Sequence, residues 1–234
     1  MFKNFTPVLG VTLFLILLQT DLSSTFMIGS IIFTILIIGK VSYKYLAIIS
    51  IIALIGFSVK ISTSNYQRAR LMNWIQPNED IGDVQQYASK LAMGSGELIG
   101  KGPGSSSLKN GHLPAAHTDF ILAILGEEYG FIGVLTLFIC FGSIFHNGIR
   151  ILQIAPDRFS LFLALGIILN LIFYFLINVA YVIGFAPNTG LTMPFISYGG
   201  SNTIFTLGAV GLLMNIARKA SYIPNTLQKR LINV

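Results

Sequence analysis

The sequence predicts an all-α integral membrane protein, a polytopic helix bundle of about six spans with one large extracytoplasmic loop. Three observations carry that reading. Of 234 residues, 53% are hydrophobic and 10% charged, against roughly 25% charged in a soluble domain. The mean hydropathy is +0.74. No Asp, Glu, Lys or Arg occurs between Phe159 and Ala217, length enough for two spans of roughly 20 residues and a connector. So few charges cannot cover a soluble globule, and a disordered chain needs the opposite balance.

Six apolar segments are expected, at about 5–20, 22–39, 44–60, 119–146, 159–184 and 200–217. Their apolar character is continuous rather than alternating, which suits helices and not barrel strands. The first is a short apolar run extended by its neighbours; it is too short and too poorly flanked for a cleaved signal peptide, and no small-residue cleavage site follows it. The last two are separated by a Pro- and Gly-rich connector running from Pro187 to Gly200.

Orientation follows the basic residues near the span ends. Lys3, Lys40, Lys44, Arg150, Arg158, Arg218, Lys219, Lys229 and Arg230 share one side of an alternating six-span path. That side is read as cytoplasmic, with both termini on it. Residues 61–118 then form the extracytoplasmic loop of a single membrane domain, 1–234. The loop has basic residues of its own, but loops of around 60 residues are translocated largely regardless of charge. Cys140 is the single cysteine, so neither an intrachain disulfide nor a Cys-based zinc site is available. The net charge of +6 marks the cytoplasmic side rather than a nucleic-acid partner.

Reactive side chains concentrate in and just after the loop. Tyr66-Gln67-Arg68-Ala69-Arg70 with Trp74 reads either as an interfacial belt or as cations for phosphate or pyrophosphate. The stretch from Gly94 to Ser107 invites comparison with a phosphate-binding loop, but Ser95 stands at the leading Gly position and Gly102 where Ser or Thr is needed. Its glycines instead suit a chain folded closely over the membrane surface.

The richest constellation runs from Lys109 through His112, Pro114, His117, Thr118 and Asp119, then into Gly126-Glu127-Glu128-Tyr129-Gly130. Thr118 or Asp119 can cap the following helix. A carboxylate at the edge of an apolar span is also a functional candidate by default. His117 and Asp119 are too few ligands to define a metal site. Glu127 and Glu128 follow Asp119 by a little over two turns and either face the same cavity or reach water at the headgroups. Asn170 and Asn178 are amides well inside a span.

These motifs together resemble the FtsW/RodA/SpoVE family. Gln19-Thr20-Asp21-Leu22 is similar to the family's Gln-Pro-Asp-Leu, with Thr20 in place of Pro. Tyr66-Gln67-Arg68 resembles the opening of its large loop. Gly100-Lys101-Gly102 looks like the RodA branch and Gly126-Glu127-Glu128 like the FtsW branch. His117-Thr118-Asp119-Phe120 and Pro194-Phe195-Ile196-Ser197-Tyr198-Gly199-Gly200-Ser201 match its most specific stretches. The family has ten spans, so the six here resemble spans 5–10. The resemblance implies that four absent helices supply one wall of the active cavity, leaving this chain alone weakly active or inactive.

The resemblance implies a peptidoglycan glycosyltransferase that polymerises lipid II into glycan strands during division or elongation. Its setting would be the bacterial inner membrane, beside a class B penicillin-binding transpeptidase and other division or elongation proteins. Asp119 then matches the family's essential loop aspartate, as general base or metal holder. Arg68, Lys101, Lys109 and His117 become candidate phosphate or acceptor contacts; Glu128, Ser197 and Tyr198 become candidate cavity-lining residues. A divalent cation, Mg or Mn, fits this chemistry, and no organic cofactor is needed. Two alternatives are a lipid II flippase and a non-catalytic scaffold for the transpeptidase. A flippase requires polar residues through the bilayer depth, whereas charge here gathers at the outer face.

Overall fold

The computed structural model describes residues 15–16, 21–75, 84–107 and 118–222, all helix, turn or irregular chain with no strand among them. Most of the expected 5–20 span, together with Lys3, Lys109, His117, Lys229 and Arg230, lies outside the described residues. The chain divides into two compact units, 1–82 and 83–234.

The first unit contains α1 (Leu22–Ile38), α2 (Tyr43–Thr63) and α3 (Asn65–Ile75). Asp21 caps α1, its side chain accepting the Ser24 N–H at 3.1 Å, as short acceptor side chains do at helix starts. Phe26 meets Phe57 edge to face at 6.1 Å between ring centroids, tying α1 to α2. Ile48, Ile51, Ile52, Leu54, Ile55 and Val59 of α2 are exposed, as befits a helix bathed in acyl chains.

The second unit contains α4 (Val84–Ser95), α5 (Ile121–Ile154), α6 (Arg158–Val182) and α7 (Gly200–Ser221). Among the described residues α2, α5, α6 and α7 are long and apolar enough to cross a membrane, and α1 is a shorter apolar helix. These match the last five expected segments. The 61–118 loop is partly helical, carrying α3 and α4. Asp157 caps α6 by accepting the Ser160 N–H at 2.8 Å. That bond, with the Ser160 hydroxyl and the Lys219 ammonium at 3.3 Å, holds the Asp157 carboxyl below its ordinary range.

The core of this unit is aromatic. Phe141 of α5 stacks on Phe175 of α6 at 4.1 Å, and Phe120 meets Tyr181 edge to face at 5.6 Å. Ala164 and Ile168 near the start of α6 pack with Leu213 and Ile216 near the end of α7, so the two helices run antiparallel. α4 is fastened to the end of α6 by side chains. Gln86 Nε2 donates to the carbonyls of Tyr181 (2.6 Å) and Ala186 (2.9 Å), and the Ser89 hydroxyl to that of Val182 (3.1 Å). Carbonyls of a last helical turn have no intrahelical partner, so α4 supplies one.

The sequence suggests a span of 119–146, but α5 runs through 34 residues, about 51 Å at 1.5 Å per residue against a hydrocarbon core of about 30 Å. It is broken at Gly130, where φ is 62° and ψ −161°. Before the break Leu122, Ala123, Ile124, Gly126, Glu127 and Glu128 are buried in protein. After it Phe131, Ile132, Leu135 and Ile139 are exposed. The break separates a protein-enclosed stub from the lipid-facing span.

Candidate active site

In an unbroken helix the N–H groups of Phe131 and Ile132 would bond the carbonyls of Glu127 and Glu128. At the Gly130 break all four groups turn to residues 97–102. Phe131 N donates to Glu97 O (2.9 Å) and Ile132 N to Leu98 O (3.2 Å). In return Lys101 N donates to Glu127 O (2.9 Å) and Gly102 N to Glu128 O (3.0 Å). Two glycines make the approach possible. Gly100 has φ +88°, and a Cβ there would lie 2.2 Å from the Glu128 carbonyl oxygen; a Cβ on Gly130 would lie 2.5 Å from Gly100 N.

The Glu127 side chain completes this junction. It is fully buried, with Oε1 accepting from Lys101 Nζ at 2.7 Å and from the Ser107 hydroxyl at 2.6 Å, and Oε2 from the Ser106 hydroxyl at 2.7 Å. A buried carboxylate is tolerable only when paired and hydrogen-bonded, and three donors from one loop meet that condition. Lys101 keeps 41% of its side-chain surface exposed while its ammonium holds Glu127.

Thr118 and Asp119 enter α5 from the other end of the loop. The helix N-cap position is Phe120, without a side-chain capping bond. What holds this corner is main chain gripped by side chains from α6 and the α6–α7 connector. The two N–H bonds of Asn178 Nδ2 are shared among the Asp119 carbonyl at 3.0 Å, the Leu191 carbonyl at 2.8 Å and the Tyr181 hydroxyl at 2.7 Å. The Tyr181 hydroxyl shares its one proton between the Asp119 and Leu191 carbonyls. The Ser197 hydroxyl donates to the Thr118 carbonyl at 2.6 Å and accepts the Met193 N–H at 2.7 Å. Asn178 and Tyr181 are completely buried. In such surroundings hydrogen bonds polarise one another and an unmet group is costly, so the Asp119 backbone is fixed while its side chain stays half-buried.

Of the residues singled out by sequence, Asp119, Glu128, Lys101 and Ser197 therefore belong to one connected region of the second unit. Glu128 is buried and contributes its carbonyl to the junction. Tyr198 has a side chain 79% exposed beside buried Ser197. Arg68 is exposed on α3 of the first unit, and the neighbouring Arg70 guanidinium lies 5.7 Å over the Tyr66 ring. Lys109 and His117 lie outside the described residues. No group of three or more His, Cys, Asp or Glu able to hold a cation occurs among the described residues. These residues by themselves therefore do not compose a cation site.

Sequence reasoning left two roles unassigned. Tyr181 drew no attention, although an Asn and a Tyr three apart on one helix face (Asn178 and Tyr181) are a polar pair inside an apolar run. By spacing, Glu127 faces the Asp119 cavity or water; its partners are 20 to 26 residues upstream, beyond any local pattern.

Residues 1–222 match a family model described as a cell cycle protein, FtsW/RodA/SpoVE. The chain is 39% identical over 226 residues to stage V sporulation protein E of Bacillus subtilis, covering 94% of this chain and 62% of that protein. It is 36% identical over 225 residues to a probable peptidoglycan glycosyltransferase FtsW of Geobacter sulfurreducens (95% and 60%). To the corresponding Haemophilus influenzae protein it is 38% identical over 222 residues (92% and 56%). Among solved structures, it superposes with a TM-score of 0.68 and 26% identity on a chain from work on the structural coordination of polymerization and crosslinking by a peptidoglycan synthase complex. That match covers 89% of this chain and 59% of the other. The chain thus spans about 60% of the length of the relatives it matches.

Proposed function

This chain belongs to the FtsW/RodA/SpoVE family of multi-pass membrane proteins, and from that premise we propose that it carries the catalytic corner of a peptidoglycan glycosyltransferase that polymerises lipid II. In the transfer, the acceptor sugar's 4-hydroxyl attacks the anomeric carbon of the donor MurNAc. The bond from that carbon to the lipid pyrophosphate breaks and the pyrophosphate leaves with the electron pair. Asp119 takes the acceptor's proton. Lys101, whose side chain is partly exposed, steadies the charge growing on the pyrophosphate oxygens. Arg68, Lys109 and His117 are further contacts for the same anion or for the acceptor, and Ser197 and Tyr198 shape the cavity.

The observation that carries this reading is the grip on the Asp119 main chain by Asn178 and Tyr181, with Ser197 holding Thr118. A general base acts only when held within hydrogen-bond reach of its proton, and a carbonyl held by two buried side chains gives Asp119 that fixity. The carboxylates Asp119, Glu127 and Glu128 lie together at the loop end of α5 rather than through the bilayer depth, which favours an enzyme over a flippase. In this reading 61–118 faces outward, both termini face the cytoplasm, and a class B penicillin-binding transpeptidase is the partner. Alternatively Asp119 holds a divalent cation, with His117 as a second candidate ligand; these two are too few by themselves to define the site.

The test is glycan formation from purified lipid II, run with and without the cognate transpeptidase and with the helices of the relatives that this chain does not match supplied as a separate polypeptide. Asp119→Asn is expected to lose on the order of 100-fold or more in rate while inserting normally. A normal rate from the Asn variant overturns the assignment.

A further inference from the structure

We propose that the cavity between α6 and α7 binds an uncharged lipid bearing a hydroxyl or amide group, a site separate from the Asp119 corner. The cavity has a volume of about 530 Å³, within the ordinary range for a small-molecule site. Its lining is graded along its length. Toward the Val182 and Gly200 ends of the helices it presents Tyr174, Asn202 and Thr206; toward the Arg158 end it presents Phe162, Leu163 and Ile167. One end can hydrogen-bond and the other can only pack, the arrangement of an amphiphile.

The Asn170 carboxamide supplies the second argument. It lies midway along α6, lines the cavity and is exposed. Among the described residues it has no hydrogen-bond partner. A polar group at that depth in a membrane span faces a cavity or a partner and marks function by default. Asn202 is otherwise committed, its Nδ2 donating to the Thr192 hydroxyl at 2.9 Å and its Oδ1 facing the Thr206 hydroxyl at 3.5 Å. The free amide therefore awaits a ligand's hydroxyl or carbonyl.

Charge and length narrow the class. Among the described residues no Asp, Glu, Lys, Arg or His lines the cavity, so a phosphate ester or an ammonium group would enter without a counter-charge, which is costly away from water. The lining of α6 runs from Phe162 to Leu171 and Tyr174, about 18 Å at 1.5 Å per residue. A transmembrane helix packs along about 30 Å of hydrocarbon, so the cavity is too short to be its seam. The fit is to a glyceride or long-chain alcohol, its hydroxyl at Asn170 and its chain toward Phe162 and Leu163.

The experiment uses the full chain in nanodiscs and three photoreactive diazirine probes of equal chain length: a monoacylglycerol, the corresponding lysophosphatidic acid, and the headless hydrocarbon. Saturable labelling of peptides within 158–182 and 200–221 by the monoacylglycerol, several-fold above the other two, is expected. Asn170→Leu should weaken it roughly 3- to 20-fold, the loss of one intramembrane hydrogen bond. Ala209→Phe should abolish it by filling the space. Should Asn170→Leu fail to fold, Thr206→Val, which keeps the shape, is expected to give a loss in the same direction. Equal labelling by all three probes, or monoacylglycerol labelling unchanged in the Asn170 or Thr206 variant, overturns the proposal. A stoichiometric polypeptide occupying the cavity in the purified protein does so as well.

Discussion

Replacing Glu127 with Gln keeps the side chain's volume and removes its charge, so it isolates what the charge does at the loop–helix junction. Three hydrogen bonds converge on this carboxylate. Bonds to a charged group contribute about 1.5–3 kcal/mol and neutral ones about 0.5–1.5, so the bonds from buried Ser106 and from the more exposed Ser107 each lose up to about 1 kcal/mol. The Lys101 bond is discounted, because a lysine 41% exposed recovers most of its interaction from water; about 0.5–1 kcal/mol is appropriate. The sum is about 2–3 kcal/mol. At 1.4 kcal/mol per tenfold, the loop should open roughly 30- to 150-fold more often. Hydrogen exchange reads this directly at the Lys101 and Gly102 amides, which bond the Glu127 and Glu128 carbonyls. Exchange there should accelerate by that factor, while amides in the body of α6 keep their protection. Unchanged exchange at both amides would refute the view that Glu127 fastens the loop. Equal acceleration in α6 would mean that the variant acts on the whole unit.

Gly100→Ala should be severely destabilising, because its Cβ would lie 2.2 Å from the Glu128 carbonyl oxygen at a φ of +88°; faster tryptic cleavage after Lys101 reports it. Gly94→Ala, in open space within α4, should instead raise the melting temperature, by about 0.5–1 kcal/mol of helix propensity. Tyr181→Phe and Asn178→Leu should each cost about 1–3 kcal/mol. Because both side chains serve the Asp119 and Leu191 carbonyls, the double variant should be non-additive by about 0.5 kcal/mol or more, measured by thermal unfolding in detergent. Asp157 has its carboxyl held below the ordinary value, first by the Ser160 N–H. Its stabilisation is therefore complete above about pH 4 and lost as pH falls through the lowered value. Asp157→Asn keeps the cap, and its melting temperature should fall less steeply than wild type below pH 4.

Where the chain is apolar, its sequence announced its structure. The segments at 22–39, 44–60, 159–184 and 200–217 became α1, α2, α6 and α7 to within a few residues, because lipid permits little but helix to an uncharged run of that length. Asp119 and Ser197 are singled out only through motif resemblance; in the structure the Ser197 hydroxyl bonds the carbonyl of Thr118, the residue before Asp119. The length of α5 was not legible, since Glu127 and Glu128 look like the edge of a span until the loop that covers them is known. Nor was the helical character of α3 and α4, whose mean hydropathy does not distinguish helix from polar loop. The Glu127–Lys101 pair depends on a fold-back across 26 residues. The glycines of this loop suggest a chain folded closely over the membrane surface; in the structure Gly96 and Gly100 instead close on Gly126 to Gly130 of α5.

The break at Gly130 bears on how the protein is assembled in its membrane. A conventional spanning helix enters the bilayer as a finished object and finds neighbours afterwards. The protein-enclosed stub of α5 cannot do so, because two of its carbonyls and the first two N–H groups beyond the break are satisfied only by residues 97–102. Each would cost several kcal/mol if carried bare into hydrocarbon. The partner segment precedes α5 in the chain and so is already synthesised when α5 emerges from the ribosome. Insertion of this helix and docking of its loop are then a single event, and a chain that has not closed the junction holds the stub at the membrane surface, where water meets its backbone.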